Sequence, residues 1–455
     1  MSETARQPEA SDFVALCDLV DRGAVDTVML AVPDMQGRLR GKRLDANHFV
    51  DRVAFGGSDM CAYVLATDID NRALDGFTLS SADTGYGDVS LLPDPDAVYR
   101  LAWMRRTALV FADAIGHDGG PVSVAPRQIL QRQLDRLAAR GITAQVGLET
   151  EFVLSYTDAT DLHHRARRPV FDRNLDYALD HPPVLTRFFE DLQECLAGMG
   201  WPVEAIKTEG GRGQVEVTFP HGNPLRAADL HLLFQHAART LAERAGLVAN
   251  FMAAPATGTG SSCHIHLSLL DGDGVPLFAE TEGRMPDAAR HAVGGLLDTM
   301  PHLGLLYAPT VNSYKRYVPG TFAPMTFTWG RDNRTCAIRV VGRGESLHLE
   351  NRLPGADTNP YLALAATLAA VLAGLDHKSE PPQPYIGSAF DDPEAPPVPG
   401  SLQEALDALQ GCPLPAQDLL TADVAAHYAT AARDELDVHR ITVTDLDLDR
   451  GLAAT

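Results

Sequence analysis

Four stretches of this chain alternate so regularly between apolar and reactive side chains that each reads as a strand with one greasy and one chemical face. Successive side chains of a strand point to opposite sides, so parity sorts them. In VGLETEFVL (146–154), Val146, Leu148, Thr150, Phe152 and Leu154 oppose Glu149 and Glu151. In GQVEVTF (213–219), Val215, Val217 and Phe219 oppose Gln214, Glu216 and Thr218. In SCHIHLSL (262–269), Cys263, Ile265, Leu267 and Leu269 oppose His264, His266 and Ser268. In LHLENRL (347–353), Leu347, Leu349 and Leu353 oppose His348, Glu350 and Arg352. A single stretch of this kind fits an exposed sheet edge. Four of them imply a sheet with one side on a core and the other lining a cleft.

The reactive faces have a definite chemistry. Neighbouring carboxylates such as Glu149 and Glu151 repel and raise each other's pKa unless a cation neutralises them. Carboxylates with an occasional imidazole suit Mg²⁺ or Mn²⁺ rather than a soft metal. The joint pattern points to a carboxylate-rich divalent site, with two ions. Taken alone, ExE is more often a solvated edge, HxH is often packing, and the GGRGQ turn is a weak phosphate cradle.

The chain of 455 residues, 45% of them hydrophobic, can bury a large core. Its six cysteines form no CxxC pair, which suits a reducing cytoplasm and argues against a zinc cluster. A formal charge of −22 makes a nucleic-acid surface improbable. The polar N-terminus carries no signal segment, and the apolar run 362–375 reads as a buried helix, so no membrane partner is expected. Strands and turns fill 24–115, whereas RQILQRQLDRLAARG opens a helical pattern near Pro126, with Gly141 as its stop. Further helices are expected near 224–245 and 360–375, and a proline-rich surface loop over 380–400. The fold class is α+β, with an N-terminal extension 1–23, a smaller domain 24–118 and a larger domain 119–455.

The blocks GLETEF, TEGGRGQVEV, SSCHIHLSL, NSYKRYVPG, DNRTCAIR and ENRLPGADTNPYL, in this order, resemble the signatures of glutamine synthetase. The resemblance runs from about residue 24 to the C-terminus. It implies an N-terminal β-grasp domain and a catalytic domain whose antiparallel sheet lines a funnel, with helices packed behind. It also implies a homo-oligomer, a double-ring dodecamer with sites between neighbouring subunits. The implied chemistry phosphorylates the γ-carboxylate of glutamate with ATP, after which an amine displaces phosphate. One Mg²⁺ or Mn²⁺ is expected on Glu151, Glu209 and Glu216, and a second on Glu149, His264 and Glu350. Gly260, Arg316 and Arg352 match glutamate contacts. Arg334 and Arg339 match phosphoryl-neutralising arginines, and with Arg316 they make the catalytic set. His266, Ser268 and Glu204 match nucleotide contacts beside Arg334 and Arg339. His348 and Thr259 depart from the family pattern, and Phe390 stands where one subgroup has an adenylylated tyrosine.

One departure bears on the substrate. Ammonia-using members have a glutamate where this chain has Phe322, and Gly56 or Gly57 falls where a neighbouring subunit supplies an aspartate. A charge pair at about 4 Å is worth roughly 4 kcal/mol at an effective dielectric of 20, so a hydrated ammonium ion loses its reason to enter. A phenyl wall instead favours a carbon tail by about 0.8 kcal/mol per methylene and attracts an organic cation. PDMQGRLRGKR, DTGYGD, TFAP and DNRTCAIRVVG are similar to the actinobacterial γ-glutamylamide synthetases acting on ethanolamine or polyamines. The expectation is therefore an ATP-dependent glutamate–amine ligase that takes a small organic amine such as ethanolamine. The alternatives are a γ-glutamylpolyamine synthetase, an ammonia-using glutamine synthetase, or a catalytically silent sensor or structural relative.

Overall fold

Strand parity does its work through two sheets, seen in a computed structural model that describes residues 12–157, 168–390, 392–413 and 419–454. Strands β1 (Thr27–Pro33), β2 (Leu39–Asp45), β3 (Ser58–Cys61), β4 (Asp88–Arg100) and β5 (Thr107–Ile115) form the first, in the order β2-β1-β5-β4-β3. β1 and β5 run parallel and the other neighbours antiparallel. The second sheet comprises β6 (Thr143–Tyr156), β7 (Ala205–Thr208), β8 (Gln214–Thr218), β9 (Leu247–Asn250), β10 (Cys263–Leu270), β11 (Trp329–Arg331), β12 (Ile338–Val341) and β13 (His348–Asn351). Its order is β11-β12-β13-β10-β6-β8-β7, with β9 pairing the last residues of β6. It is antiparallel except for the β11–β12 pair.

The apolar parity set of β6 faces inward: Val146, Leu148, Phe152 and Leu154 are buried. Phe152 stacks on Phe251 at 4.8 Å and meets Phe188 and Phe234 edge-on. The helices Pro126–Ala138 and Pro224–Arg244 pack behind β6, and Pro360–His377 packs against both. Proline opens each of the three, where its missing N–H costs nothing. The 360–377 helix is long and apolar enough to cross a membrane, yet 83% of it is buried inside the protein, as a core helix.

The N-terminal sheet docks on this body through polar clamps. In PDMQGR the buried Asp34 accepts from the backbone N–H groups of Gln36 and Arg38 and pairs with Arg38 and Arg40. The side-chain oxygen of Asn359 caps the 360–377 helix, while its Nδ2 donates to the carbonyls of Asp34 and Met35. Buried Arg127 joins Asp94 and Asp113 of the first domain to Asp229 of the second.

Two further helices pack on the N-terminal part of the fold. The segment 1–23, set apart as an extension, carries the helix Asp12–Asp21, which packs Phe13, Leu16 and Val20 against the first domain; residues 1–11 lie outside the description. Their spacing of three and four puts these side chains on one helical face. The C-terminal helix Ala422–Ile441 returns to the first domain, where His427 Nε2 donates to the Leu65 carbonyl at 2.7 Å.

Burial pushes His427 down to about 4, so it stays neutral where an unfolded histidine, with pKa near 6.5, takes up a proton. Between those values the unfolded chain binds more protons, and stability falls as pH falls. His427→Gln keeps a donor for Leu65 but does not titrate. Between pH 7 and pH 4.5 it should lose about 2–3 kcal/mol less than the parent in urea unfolding. Equal losses in both proteins would assign the pH dependence elsewhere.

Candidate active site

Register across the second sheet brings the reactive faces together. Glu151 of β6 lies opposite Glu216 of β8, Glu149 opposite His264 of β10, and Glu350 of β13 opposite both His266 of β10 and Arg339 of β12. One oxygen each of Glu151, Glu209 and Glu216 lie within 4.8 Å of one another. A ligand atom each of Glu149, His266 and Glu350 do the same.

Glu209 escapes strand parity because it sits in the β7–β8 hairpin turn. That turn reads GGRG because Gly213 takes φ +70°, and a Cβ there would meet the Leu154 carbonyl at 2.4 Å. Glu209 closes the hairpin by donating its backbone N–H to the Gln214 carbonyl at 2.9 Å. Lys207, which the sequence reading did not single out, pairs with Glu209 and, at 3.1 Å, with Glu216. Glu151 accepts from Gln214 Nε2 at 3.0 Å and from the Ser262 backbone N–H at 2.8 Å. Even so, burial, and after it the negative charge of Glu149, push Glu216 up to about 9. Lys207 alone does not balance these carboxylates, and a divalent cation suits the donor set.

In the second cluster both imidazoles reach the same carboxylates. His264 Nδ1 lies 3.5 Å from Glu149 and 3.4 Å from Glu350, and His266 Nε2 lies 3.0 Å from Glu149. The expected set of Glu149, His264 and Glu350 is thus assembled, but His266, expected at the nucleotide, shares it. Burial opposes the charge on Glu149, yet His264 and His266 hold it below the usual carboxylate range. His348 stands behind His266, its Nε2 at 3.1 Å from His266 Nδ1 and its own Nδ1 at 2.8 Å from the Ser346 carbonyl. With Nδ1 donating to that carbonyl, the neutral His348 offers Nε2 as acceptor. His266 then donates at both nitrogens, consistent with its raised pKa, to which burial is opposed and Glu149 contributes most.

Arg339 Nη1 donates to Glu350 at 2.9 Å and Arg352 Nε to Glu350 at 3.0 Å, so both guanidiniums border the second cluster. Arg316 differs. It is 2% exposed, and its hydrogen bonds go to the carbonyls of Leu353 at 2.8 Å and Arg352 at 3.1 Å. Among the described residues it forms no ion pair with a carboxylate. Gly260 lies against it: a Cβ there would come 3.0 Å from Arg316 Cγ and 3.1 Å from Thr321 Cβ. The carbonyl of Gly260 accepts from Gln214 at 2.7 Å, which links this corner to Glu151.

The remaining candidates lie further out. Ser268 shares the face of His264 and His266 on β10 and is half-buried. Glu204 is exposed just before β7. Arg334 is exposed on a turn and lines an open cleft of about 530 Å³ with Arg331, Tyr385 and Ile386. Phe322 is 70% exposed and holds φ +57°, a conformation that costs a bulky residue roughly 1–3 kcal/mol. Thr321 Oγ1 pins this turn by donating to the Arg316 carbonyl at 2.6 Å.

Comparison with known proteins shows which family the chain resembles. Residues 123–451 match the family model described as glutamine synthetase, catalytic domain. The γ-glutamylethanolamide synthetase GlnA4 of Streptomyces coelicolor is 45% identical over 435 residues, covering 95% of this chain and 94% of that protein. A glutamate–isopropylamine ligase of a Pseudomonas species is 30% identical over 444 residues, 96% of each. A solved GmaS–ADP complex superposes with a TM-score of 0.83 at 28% identity, covering 96% of this chain and 99% of that one.

Glu216→Gln tests the first cluster. It removes a crowded carboxylate at constant volume, so metal-free stability should hold or rise by about 1 kcal/mol. Mn²⁺ affinity by calorimetry should fall at least as far as the roughly 10–100-fold typical of losing a supporting group. Unchanged Mn²⁺ binding would remove Glu216 from the ligand set.

Proposed function

The chain belongs to the glutamine synthetase family, and from that premise we propose that it joins the γ-carboxylate of glutamate to a small organic primary amine, ethanolamine being favoured. It is an ATP-dependent carbon–nitrogen ligase acting on glutamate and an amine. The observation that carries the glutamate reading is Arg316, a buried guanidinium without a carboxylate partner among the described residues. Keeping such a charge dry is expensive unless an anion completes it. Glutamate supplies that anion, with Arg352 and the Gly260 backbone beside it.

In this reading a γ-carboxylate oxygen attacks the terminal phosphorus of ATP, and the bond to the ADP oxygen breaks. The bound ammonium gives one proton to solvent, the freed nitrogen lone pair attacks the acyl carbon, the carbon–oxygen bond to phosphate breaks, and a second proton passes from nitrogen to a phosphate oxygen. Arg339 and Arg334 spread the charge of the transferred group, the largest part of catalysis in such transfers. Glu151, Glu209 and Glu216 would hold one divalent cation, Mg²⁺ or Mn²⁺, and Glu149, His264 and Glu350 a second. When bound, these ions neutralise phosphate oxygens. His266, Ser268 and Glu204 lie toward the nucleotide, with His348 orienting His266.

The amine side rests on Phe322. Its turn is tied to Arg316 and its ring is exposed rather than in the core, which supports an apolar face beside the acyl end. Self-association into a homo-oligomer, a dodecamer by the family resemblance, is supported by the exposed apolar side chains Ile441, Val443, Leu446, Leu448 and Leu452 near the C-terminus. A reducing cytoplasm fits the six free thiols.

An amine panel with phosphate readout tests the proposal. Release should need glutamate together with an organic amine and respond little to ammonium; strong turnover on ammonium alone would make the protein an ordinary glutamine synthetase. Phe322→Glu restores the anionic gate. The ratio of kcat/KM for ammonium to that for ethanolamine should rise by about tenfold or more. An unaltered ratio would take Phe322 out of the amine pocket.

A further inference from the structure

Phe390 is half-buried and meets Phe322 edge to face, with ring centroids 6.3 Å apart and planes at 71°. The contact is built rather than incidental, because the two segments are laced together by hydrogen bonds. Asn333 Nδ2 donates to the Gly387 carbonyl at 2.9 Å, and the Ala389 N–H donates to Thr335 Oγ1 at 2.9 Å. Thr326 Oγ1 donates to the Ala389 carbonyl at 3.1 Å, and the Tyr385 N–H to the Trp329 carbonyl at 2.7 Å. Ala389 is fully buried at this seam, which leaves its neighbour Phe390 directed at the Phe322 turn. Phe322 in turn is held out of the core at positive φ.

We infer that Phe390 is a specificity-determining residue for the amine, the second wall of a two-ring corner that admits primary amines with a short carbon tail. The inference rests on the assignment of Phe322 to the amine pocket. One exposed ring offers a face to any cation; two rings near a right angle also limit the length and branching of the tail. Both rings offer negative faces and apolar surface, so a protonated amine with a few methylenes gains from each. A doubly charged polyamine would have to place its second ammonium past the corner, where these rings give it no counter-charge.

The test uses the full-length enzyme with methylamine, ethanolamine, isopropylamine and putrescine as probes. Phe390→Ala should raise KM for ethanolamine and isopropylamine about tenfold relative to methylamine, with KM for glutamate and ATP unmoved. Phe390→Tyr should keep the parent profile, because the ring remains. The double variant with Phe322→Ala should be little worse than Phe322→Ala alone, as expected for walls of one corner. Phe390→Leu, which keeps apolar bulk without the ring, serves if the alanine variant folds poorly, and should shift the profile in the same direction. A changed profile in Phe322→Ala with an unchanged one in the Phe390 variants overturns this inference and leaves the Phe322 reading standing. No change in either position sinks both. A rise in KM for ATP alone places Phe390 at the nucleotide and also overturns the inference.

Discussion

Three strands of one sheet press carboxylates onto a single face, where a fourth adds two imidazoles, and much of the site follows from managing the repulsion of the acids. Two such charges about 4 Å apart repel by roughly 4 kcal/mol at an effective dielectric of 20. The greasy face of the same strands, anchored by Phe152 against Phe188, Phe234 and Phe251, keeps the acids from turning away. Lys207 answers part of the charge at one cluster, and Arg339, Arg352 and two imidazoles answer it at the other. Glu216 is driven toward protonation despite this, as expected of a site shaped for divalent ions.

Arg316 is the complement of that crowd. It is a cation buried against backbone carbonyls, reached through Gly260 and Gln214 from the acid cluster. Acids with few cations on one side thus stand near a cation that, among the described residues, pairs with no acid. Beyond Arg316 the character changes to exposed aromatic surface.

Much of this was readable from residue types and spacing. Parity picks out Glu149, Glu151, Glu216, His264, His266 and Glu350, because a period of two is a property of the strand itself. It cannot pick out Glu209, whose position comes from a hairpin turn, or Lys207, whose value lies in what it faces. His348 read only as a departure from the family pattern, and the register of β10 against β13 shows it backing His266. The helix Asp12–Asp21 went unread because ten residues with three buried side chains give a faint signal.

The sequence by itself determined the α+β class, the reactive faces and the family, since these depend on local period and residue identity. Only the tertiary structure decided how the first sheet clamps to the second body through Asp34, Asn359 and Arg127, that Arg316 forms no ion pair among the described residues, and that Phe390 meets Phe322. Such contacts join residues far apart along the chain, and their energies depend on distance and burial, which no local pattern encodes.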